Sequence, residues 1–383
     1  MTGDAESAEG LRTELRSWLE ANLDDRFRAA GSVIGGSGDL DALREWNRRL
    51  YDAGYAVIAW PEELGGRTAG VQEQVVFAEE MHRAEAPPTV NPIGISNIAP
   101  AIMAWGTEEQ QDRFLRRMAR GDDIWCQGFS EPDAGSDLAS LHTTAVLDGD
   151  HYVVSGQKVW TSLGAVAEWC ELLVRTDADV PKHAGITCLL VDMSLPGIEA
   201  RPLRTISGEE EFAELFFDEV RVPVEARLGP ENEGWKVAMS TLAAERAGVA
   251  TLHLNTRRRI DQLIDEARRL PAPGGGSVAD RPDVRRRLAW LWLEGEHLRL
   301  LSERAVSAMV NERPGAEGSL VKLVWSDVSQ HLAEVAGHVL GPEADAGDWG
   351  WDRVRSRSLS IAGGTTQVNK NIVAQRVLGL PKR

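Results

Sequence analysis

The sequence predicts an α+β protein, mainly helical with a central β domain, and three observations along its 383 residues carry that expectation. Apolar residues recur at three- and four-residue spacing through roughly the first 120 residues. From about Ile124 to Pro223 the period changes to two, and beyond Gly229 the helical period returns. Helical, strand and helical thirds in that order imply layers of packed structure rather than alternating βαβ units. The length also exceeds a single core, which seldom grows past ~250–300 residues. The expected divisions are residues 1–122, 123–228 and 229–383.

Taken in order, Leu11, Leu15, Trp18 and Leu19 mark one helix, and Leu40, Leu43, Trp46 and Leu50 another. Pro87-Pro88 and Asn91-Pro92 read as loops. Thr107-Glu-Glu-Gln110 has capping-box form ahead of Phe114, Leu115 and Met118, with Gly121 placed to end that helix. Tyr152–Ser155, Ile186–Val191 and Leu215–Phe217 have strand composition, and Asp148-Gly149 between apolar runs predicts a hairpin. Glu233 to Leu270 reads as one long helix, closed by Pro271-Ala-Pro-Gly-Gly-Gly-Ser277, an interhelical loop. Helices are expected from about Asp283 to Asn311 and Ser319 to Leu340. A break at Gly341–Gly347 then precedes a final helix near Thr365–Leu378.

A net charge of −17, from 59 acidic and 42 basic residues, argues against nucleic acid or an anionic membrane as partner. No apolar run approaches the ~20 residues of a membrane span, and Met1-Thr-Gly-Asp-Ala-Glu6 lacks a basic signal-peptide start. Cys126, Cys170 and Cys188 are widely spaced, with no Cys-x-x-Cys and no paired His. That spacing favours reduced thiols in the cytoplasm over a disulfide framework or a metal site.

The most informative stretch is Gln127-Gly-Phe-Ser-Glu-Pro-Asp-Ala-Gly-Ser-Asp-Leu138, followed by Lys158-Val-Trp-Thr-Ser162. The first is turn chemistry rich in hydroxyls and backbone N–H groups, suited to an anionic or carbonyl-rich ligand. The second sets a large flat ring beside two hydroxyls, so Trp160 can pack on a planar cofactor while Thr161 and Ser162 bond its polar edge. Residue chemistry alone leaves an equal alternative, in which the loop is a surface turn and Trp160 belongs to the core.

These stretches resemble the acyl-CoA dehydrogenase family, flavoenzymes that desaturate acyl thioesters between Cα and Cβ. Ala59-Trp-Pro-Glu-Glu-Leu-Gly-Gly66, Glu214–Pro223, Gly229-Pro-Glu-Asn-Glu-Gly-Trp235 and Ala362-Gly-Gly-Thr-Thr-Gln367 match it too, in colinear order over nearly the whole chain. The flavour is actinobacterial. The resemblance implies an N-terminal helical bundle, a middle β-barrel or sandwich, and a C-terminal four-helix bundle. It implies FAD as cofactor, acyl-CoA as substrate, electron-transfer flavoprotein as reoxidant, and a homo- or hetero-oligomer built as a dimer of dimers, a tetramer. On its authority Gln127, Phe129, Ser130 and Ser136 contact flavin or acyl-pantetheine, and Gly135 allows close approach. Trp160, Thr161 and Ser162 line the isoalloxazine, Thr365 and Gln367 bind flavin, and Arg246 positions substrate. Ordinary capping or turn bonding is the alternative role for the hydroxyls.

Removing an α-proton beside a thioester needs a desolvated carboxylate. Many family members carry it as Glu in a Tyr-Glu-Gly-Thr motif, but here Ile361-Ala-Gly-Gly-Thr-Thr-Gln367 puts Gly363 at that place. Glu245 is the candidate base. It is the one charge on the stripe Trp235, Ala238, Leu242, Glu245, Val249, Leu252, and such a carboxylate is paired, neutralised or functional. A rim position or a buried ion pair is the other reading. Some relatives carry their base on this helix immediately before an Arg, matching Glu245-Arg246. Gly363 then leaves room for the base, and its N–H can bond the thioester oxygen; backbone freedom at a helix entry is a second use of the same glycine.

Two departures stand out. Pro271–Pro282 lacks the Arg-x-x-Phe-Gly-like stretch that holds the flavin pyrophosphate across a subunit boundary, and Gly341–Gly347 replaces the glycine-rich adenine segment. Either flavin binding is weaker for it, or a different partner chain supplies those contacts. Alongside the dehydrogenase itself stand three other readings. They are a half-competent subunit of a heteromeric enzyme, a dehydrogenase of a carrier-protein-bound acyl group, and a flavin oxidase or monooxygenase.

Overall fold

A computed structural model describes residues 2–34, 38–247, 251–311 and 315–381, the side chains of 2–6 and 245–247 apart. The chain divides into two compact units, Met1–Gln74 with Arg83–Glu245, and Val75–His82 with Arg246–Arg383.

The N-terminal helices are α1 (Thr2–Asn22), α2 (Asp25–Arg28), α3 (Leu40–Asp52), α4 (Val71–Arg83), α5 (Ala99–Trp105) and α6 (Glu108–Arg120). The expected apolar stripes are the buried faces: Leu15 and Leu19 on α1, and Leu43, Trp46 and Leu50 on α3. At the start of α6 the Thr107 hydroxyl accepts from Gln110 N at 3.3 Å and Gln110 Oε1 accepts from Thr107 N at 3.1 Å. Gly121 ends that helix at φ 77°, so both predicted caps are present. The fully buried Asn91 joins helix to sheet: its Nδ2 donates to Asp123 O at 2.9 Å, and its Oδ1 accepts from Trp125 N at 3.0 Å.

The strands are β1 (Trp125–Gly128), β2 (Thr144–Asp148), β3 (His151–Ser162), β4 (Trp169–Arg175), β5 (Ile186–Asp192), β6 (Ile198–Leu203), β7 (Phe212–Pro223) and β8 (Arg227–Leu228). They form one sheet in the order β6-β7-β3-β2-β4-β5-β8, with β1 parallel to β4. The expected hairpin joins β2 to β3, with Asp148 opposite His151 and Gly149 at φ 64°. One sheet face, with Trp125, Leu173, Cys188 and Leu190, packs with Ile98, Ile102, Phe114 and Met118 from the helices. The other face gathers Tyr152, Val154, Leu172, Val191, Leu215 and Val222 into a second core. With both faces covered, β4 and β5 are buried almost continuously instead of alternating.

Beyond the sheet come α7 (Gly234–Ala247), α8 (Leu252–Arg269), α9 (Pro282–Val310), α10 (Glu317–Leu340), α11 (Gly347–Arg355) and α12 (Thr366–Arg376). The single helix expected from Glu233 to Leu270 is described as two, α7 and α8, with 248–250 outside the described residues. The Pro/Gly run at Pro271–Ser277 is a tight loop, as expected, in which Gly274, Gly275 and Gly276 all take positive φ. Ile260, Leu263, Leu288, Leu291, Leu332 and Val335 from α8, α9 and α10 form the core of the second unit. α11 was not foreseen. It is short and polar, held by the buried Trp349, whose indole N–H donates to Glu266 and whose ring lies 3.8 Å from the Arg259 guanidinium. No described helix is long and apolar enough to cross a membrane.

Candidate functional site

The Gln127–Leu138 loop is fastened from beneath by a buried ion pair. Lys158, fully buried on β3, donates from Nζ to Glu131 Oε1 at 2.8 Å and to Phe129 O at 3.1 Å. Glu131 also accepts from His142 N at 2.6 Å and Thr143 N at 2.9 Å. Burial pulls the Lys158 ammonium down to about 8 against the opposing pull of Glu131. Burial pushes Glu131 up, but Lys158 and these hydrogen bonds outweigh it and leave the carboxyl below its usual range. A charged pair with this many bonds holds the loop in one shape. Above it, Gly135 and Ser136 are exposed, and a Cβ built on Gly135 would meet nothing within 4 Å. Ser130 is half-buried, its carbonyl accepting from Val159 N at 2.9 Å. Phe129 sits in the core, so what this position contributes directly to the loop is its carbonyl.

On β3 the buried residues are the even-numbered Tyr152, Val154 and Lys158, then Val159, and after Trp160 the odd-numbered Thr161. The pairing with β7 shifts register between Lys158 and Thr161, so one extra residue bulges there. The bulge holds Trp160 at φ 58° and turns its ring outward, 62% exposed, edge-on to Phe212 at 5.8 Å. A positive φ at a Trp costs about 1–3 kcal/mol, strain of the kind that collects at ligand sites. Beside it the Thr161 hydroxyl is buried with no hydrogen-bond partner among the described residues, and Ser162 is half-buried. An outward ring with the half-buried Ser162 two residues along the strand is an arrangement that a flat, polar-edged cofactor such as flavin would complete, while the Thr161 hydroxyl faces the core. Trp160 is thus outside the core, against the alternative reading of the sequence.

Gln127 opens onto a second polar group that sequence reasoning missed. Its Oε1 accepts from Asn97 Nδ2 at 3.2 Å, and it stands opposite Glu171 in the β1–β4 register. Glu171 is fully buried, yet no Lys or Arg pairs with it among the described residues. Its Oε1 accepts from Thr241 Oγ1 at 2.7 Å and its Oε2 has no partner among the described residues. Burial lifts its carboxyl to about 8, opposed by Thr241, Gln127 and Cys188. The signal was present as one acid inside the apolar run Trp169-Cys-Glu-Leu-Leu-Val174.

A raised carboxyl means the folded state binds the proton more tightly than the unfolded one. Stability contributed by Glu171 is therefore full below the ordinary value, near 4.5, and is lost as pH rises to about 8. Relative to Glu171→Gln, the parent is expected to lose roughly tenfold in folding equilibrium constant per pH unit inside that window. Urea titrations of both proteins at a series of pH values measure this, and parallel curves would contradict it.

On α7 the fully buried positions are Gly234, Val237, Ala238 and Thr241, with Trp235 and Leu242 half-buried at the edges. The buried stripe is therefore shifted from the expected one and centres on Thr241 rather than Leu242. Position 245 follows Thr241 by one helical turn. The side chains of Glu245 and Arg246 lie outside the described residues.

In the second unit, Leu359 O accepts from Lys322 Nζ at 2.6 Å and from Ser326 Oγ at 2.9 Å, which fixes α10 against the segment leading to Gly363. Gly363 (φ 62°) and Gly364 (φ 84°) form an exposed left-handed turn that side chains rarely adopt. Asn369 Nδ2 closes the turn on Gly364 O at 2.8 Å. Thr365 caps α12, its hydroxyl accepting from Val368 N at 3.2 Å, and Gln367 is exposed on the first turn.

Comparison with known proteins agrees with this architecture. Models of the acyl-CoA dehydrogenase N-terminal, middle and C-terminal domains match residues 5–122, 126–220 and 232–378. Acyl-CoA dehydrogenase IpdE1 of Mycobacterium tuberculosis is 40% identical over 388 residues, covering 98% of this chain and 99% of that protein. The ChsE4-ChsE5 complex from Mycobacterium tuberculosis is similar at a TM-score of 0.84 and 33% identity, over 98% of both chains. The Tcur3481-Tcur3483 steroid ACAD is similar at 0.86 and 31%, over 99% of this chain and 98% of that one. With all three domains matched in order and a relative 40% identical along nearly its whole length, the chain belongs to the acyl-CoA dehydrogenase family, a family of oxidoreductase enzymes.

Proposed function

We propose that this chain carries out FAD-dependent α,β-dehydrogenation of an acyl-CoA thioester and passes the electrons to an electron-transfer flavoprotein. The observation that carries the reading is the β3 bulge, which holds Trp160 at positive φ and turns its ring out of the core. Bound flavin would supply the acceptor for the hydride leaving Cβ. Trp160, Thr161 and Ser162 would hold its ring, and Thr365 and Gln367 would bind flavin as well. Ser130, Gly135 and Ser136 would take the polar groups of flavin and pantetheine on the loop that Lys158 and Glu131 keep rigid.

Glu245 would remove the α-proton, Arg246 would orient the thioester, and the Gly363 N–H would donate to its carbonyl oxygen as negative charge grows there. A second reading is favoured by one feature: Gly363 offers no proton acceptor where many relatives carry a carboxylate. On that reading the chain is one half of a heteromer, as the names ChsE4-ChsE5 and Tcur3481-Tcur3483 indicate for those relatives. The steroid ACAD among them makes polycyclic acyl groups the first substrates to try.

The chain purified alone, and co-expressed with a homologous chain, separates the readings. Flavin bound in proportion to chain, and anaerobic bleaching by acyl-CoA, are expected for the dehydrogenase. A full flavin complement and full activity in the pure chain would dismiss the heteromer. Absence of bleaching in either preparation, with a broad acyl-CoA panel, would dismiss the dehydrogenase.

A further inference from the structure

Glu171 has no part in the proton transfer proposed above, and its surroundings are unusual for a carboxyl. It lies on the sheet face that α7 covers, among Trp125, Leu173, Cys188, Leu190 and Ala238. A carboxyl with no cationic partner in an apolar core is costly unless each oxygen finds a hydrogen bond. Oε1 has Thr241; Oε2 has nothing among the described residues. The same patch holds Asn97 and Gln127, so Asn97, Gln127, Glu171, Cys188 and Thr241 form one polar island inside the core. Gln127 is its half-exposed member, and it is also the residue at which the proposed substrate loop begins. Gln127 thus joins the island to that loop, and at its other end the island finishes on an oxygen with no partner among the described residues.

We infer that Glu171 is a specificity-determining residue that receives a hydroxyl or ketone oxygen carried on the acyl group, away from the reacting carbons. The inference rests on the acyl-CoA dehydrogenase reading and names its substrate class, an oxygenated rather than a plain hydrocarbon acyl thioester. The acyl group enters past Gln127 and meets Oε2 directly. A neutral carboxyl supplies one O–H donor and further lone pairs, which a hydroxyl can meet in full and a ketone can accept from. Hydrocarbon satisfies neither, so a plain acyl group of equal size would bury the carboxyl with its oxygen still unpaired. A site built around such a group discriminates strongly against the analogue that lacks the oxygen.

The test uses a matched pair of unreactive acyl-CoA thioether analogues, identical in carbon skeleton, one bearing a ring hydroxyl. Binding is measured by calorimetry on the holoenzyme, together with its partner chain if one is required for flavin. The hydroxylated analogue is expected to bind the parent at least about tenfold more tightly than the plain one. Glu171→Leu is expected to abolish that preference by weakening the hydroxylated analogue alone, and Glu171→Gln, which keeps a donor and an acceptor, to retain most of it. Equal affinity of the pair for the parent overturns the inference, as does an undiminished preference in Glu171→Leu. Should Glu171→Leu fail to fold, the parent and Glu171→Gln decide, because a water-filled or purely structural island gives equal affinities in both. If the inference alone fails, acyl-CoA still bleaches the flavin. If neither analogue binds and no thioester bleaches it, the dehydrogenase reading fails as well.

Discussion

Glu245→Gln is expected to keep the protein yellow and substrate affinity unchanged while kcat falls by about 10²–10⁴-fold, the usual worth of a positioned general base. The amide is isosteric with the carboxylate, so it preserves shape and removes only proton affinity. Rapid mixing with acyl-CoA, followed by flavin absorbance, reads the loss directly, and a separate titration reads binding. A fall in kcat with KM preserved is the signature of an interaction needed in the transition state. Full activity in this variant would end the assignment. Gly363 cannot take over, since glycine carries no proton acceptor, and a partner chain would then have to provide the base.

Lys158→Met should produce the largest loss of stability, about 3–5 kcal/mol, because it strands Glu131 as an unpaired charge that is only 6% exposed. Replacing both partners with apolar residues often restores stability at buried ion pairs. Here that rescue should be incomplete. Glu131 also accepts from the backbone N–H groups of His142 and Thr143, and Glu131→Leu would leave both unsatisfied. The measurement is the urea midpoint at constant slope for the two single variants and the double. Amide exchange at His142 and Thr143 should quicken in any variant lacking Glu131. A midpoint unchanged in Lys158→Met would mean that the loop does not depend on the pair.

Local features proved legible. The Thr107–Gln110 capping box, the Asp148-Gly149 hairpin and the Pro271–Ser277 loop each depend on residues within one turn of one another, and each formed as read. The α7 stripe was read one position off its centre. Periodicity gives the angle of an apolar face but not which neighbouring element will cover it, and Thr241 is fully buried while Leu242 packs at the edge of the same core. α11 escaped because nine residues with one buried Trp carry too little periodicity to separate a helix from a loop. The bulge at Trp160 was equally out of reach. It is defined by the register of β3 against β7, strands separated by some fifty residues of chain.

By itself, then, the sequence determined the order of helical, strand and helical blocks, the family, and the two segments that carry the proposed cofactor face. Those follow from short-range caps, turns and periods, and from motif order along the chain. Only the tertiary structure decided that Trp160 points outward with Thr161 inward, that Lys158 and Glu131 are a buried pair, and that Glu171 is an acid within the core with no cationic partner among the described residues. The physical reason is the same in each case. Whether a ring is exposed or a charge is paired depends on desolvation by elements distant in sequence, and residue spacing carries no information about which of them will pack there.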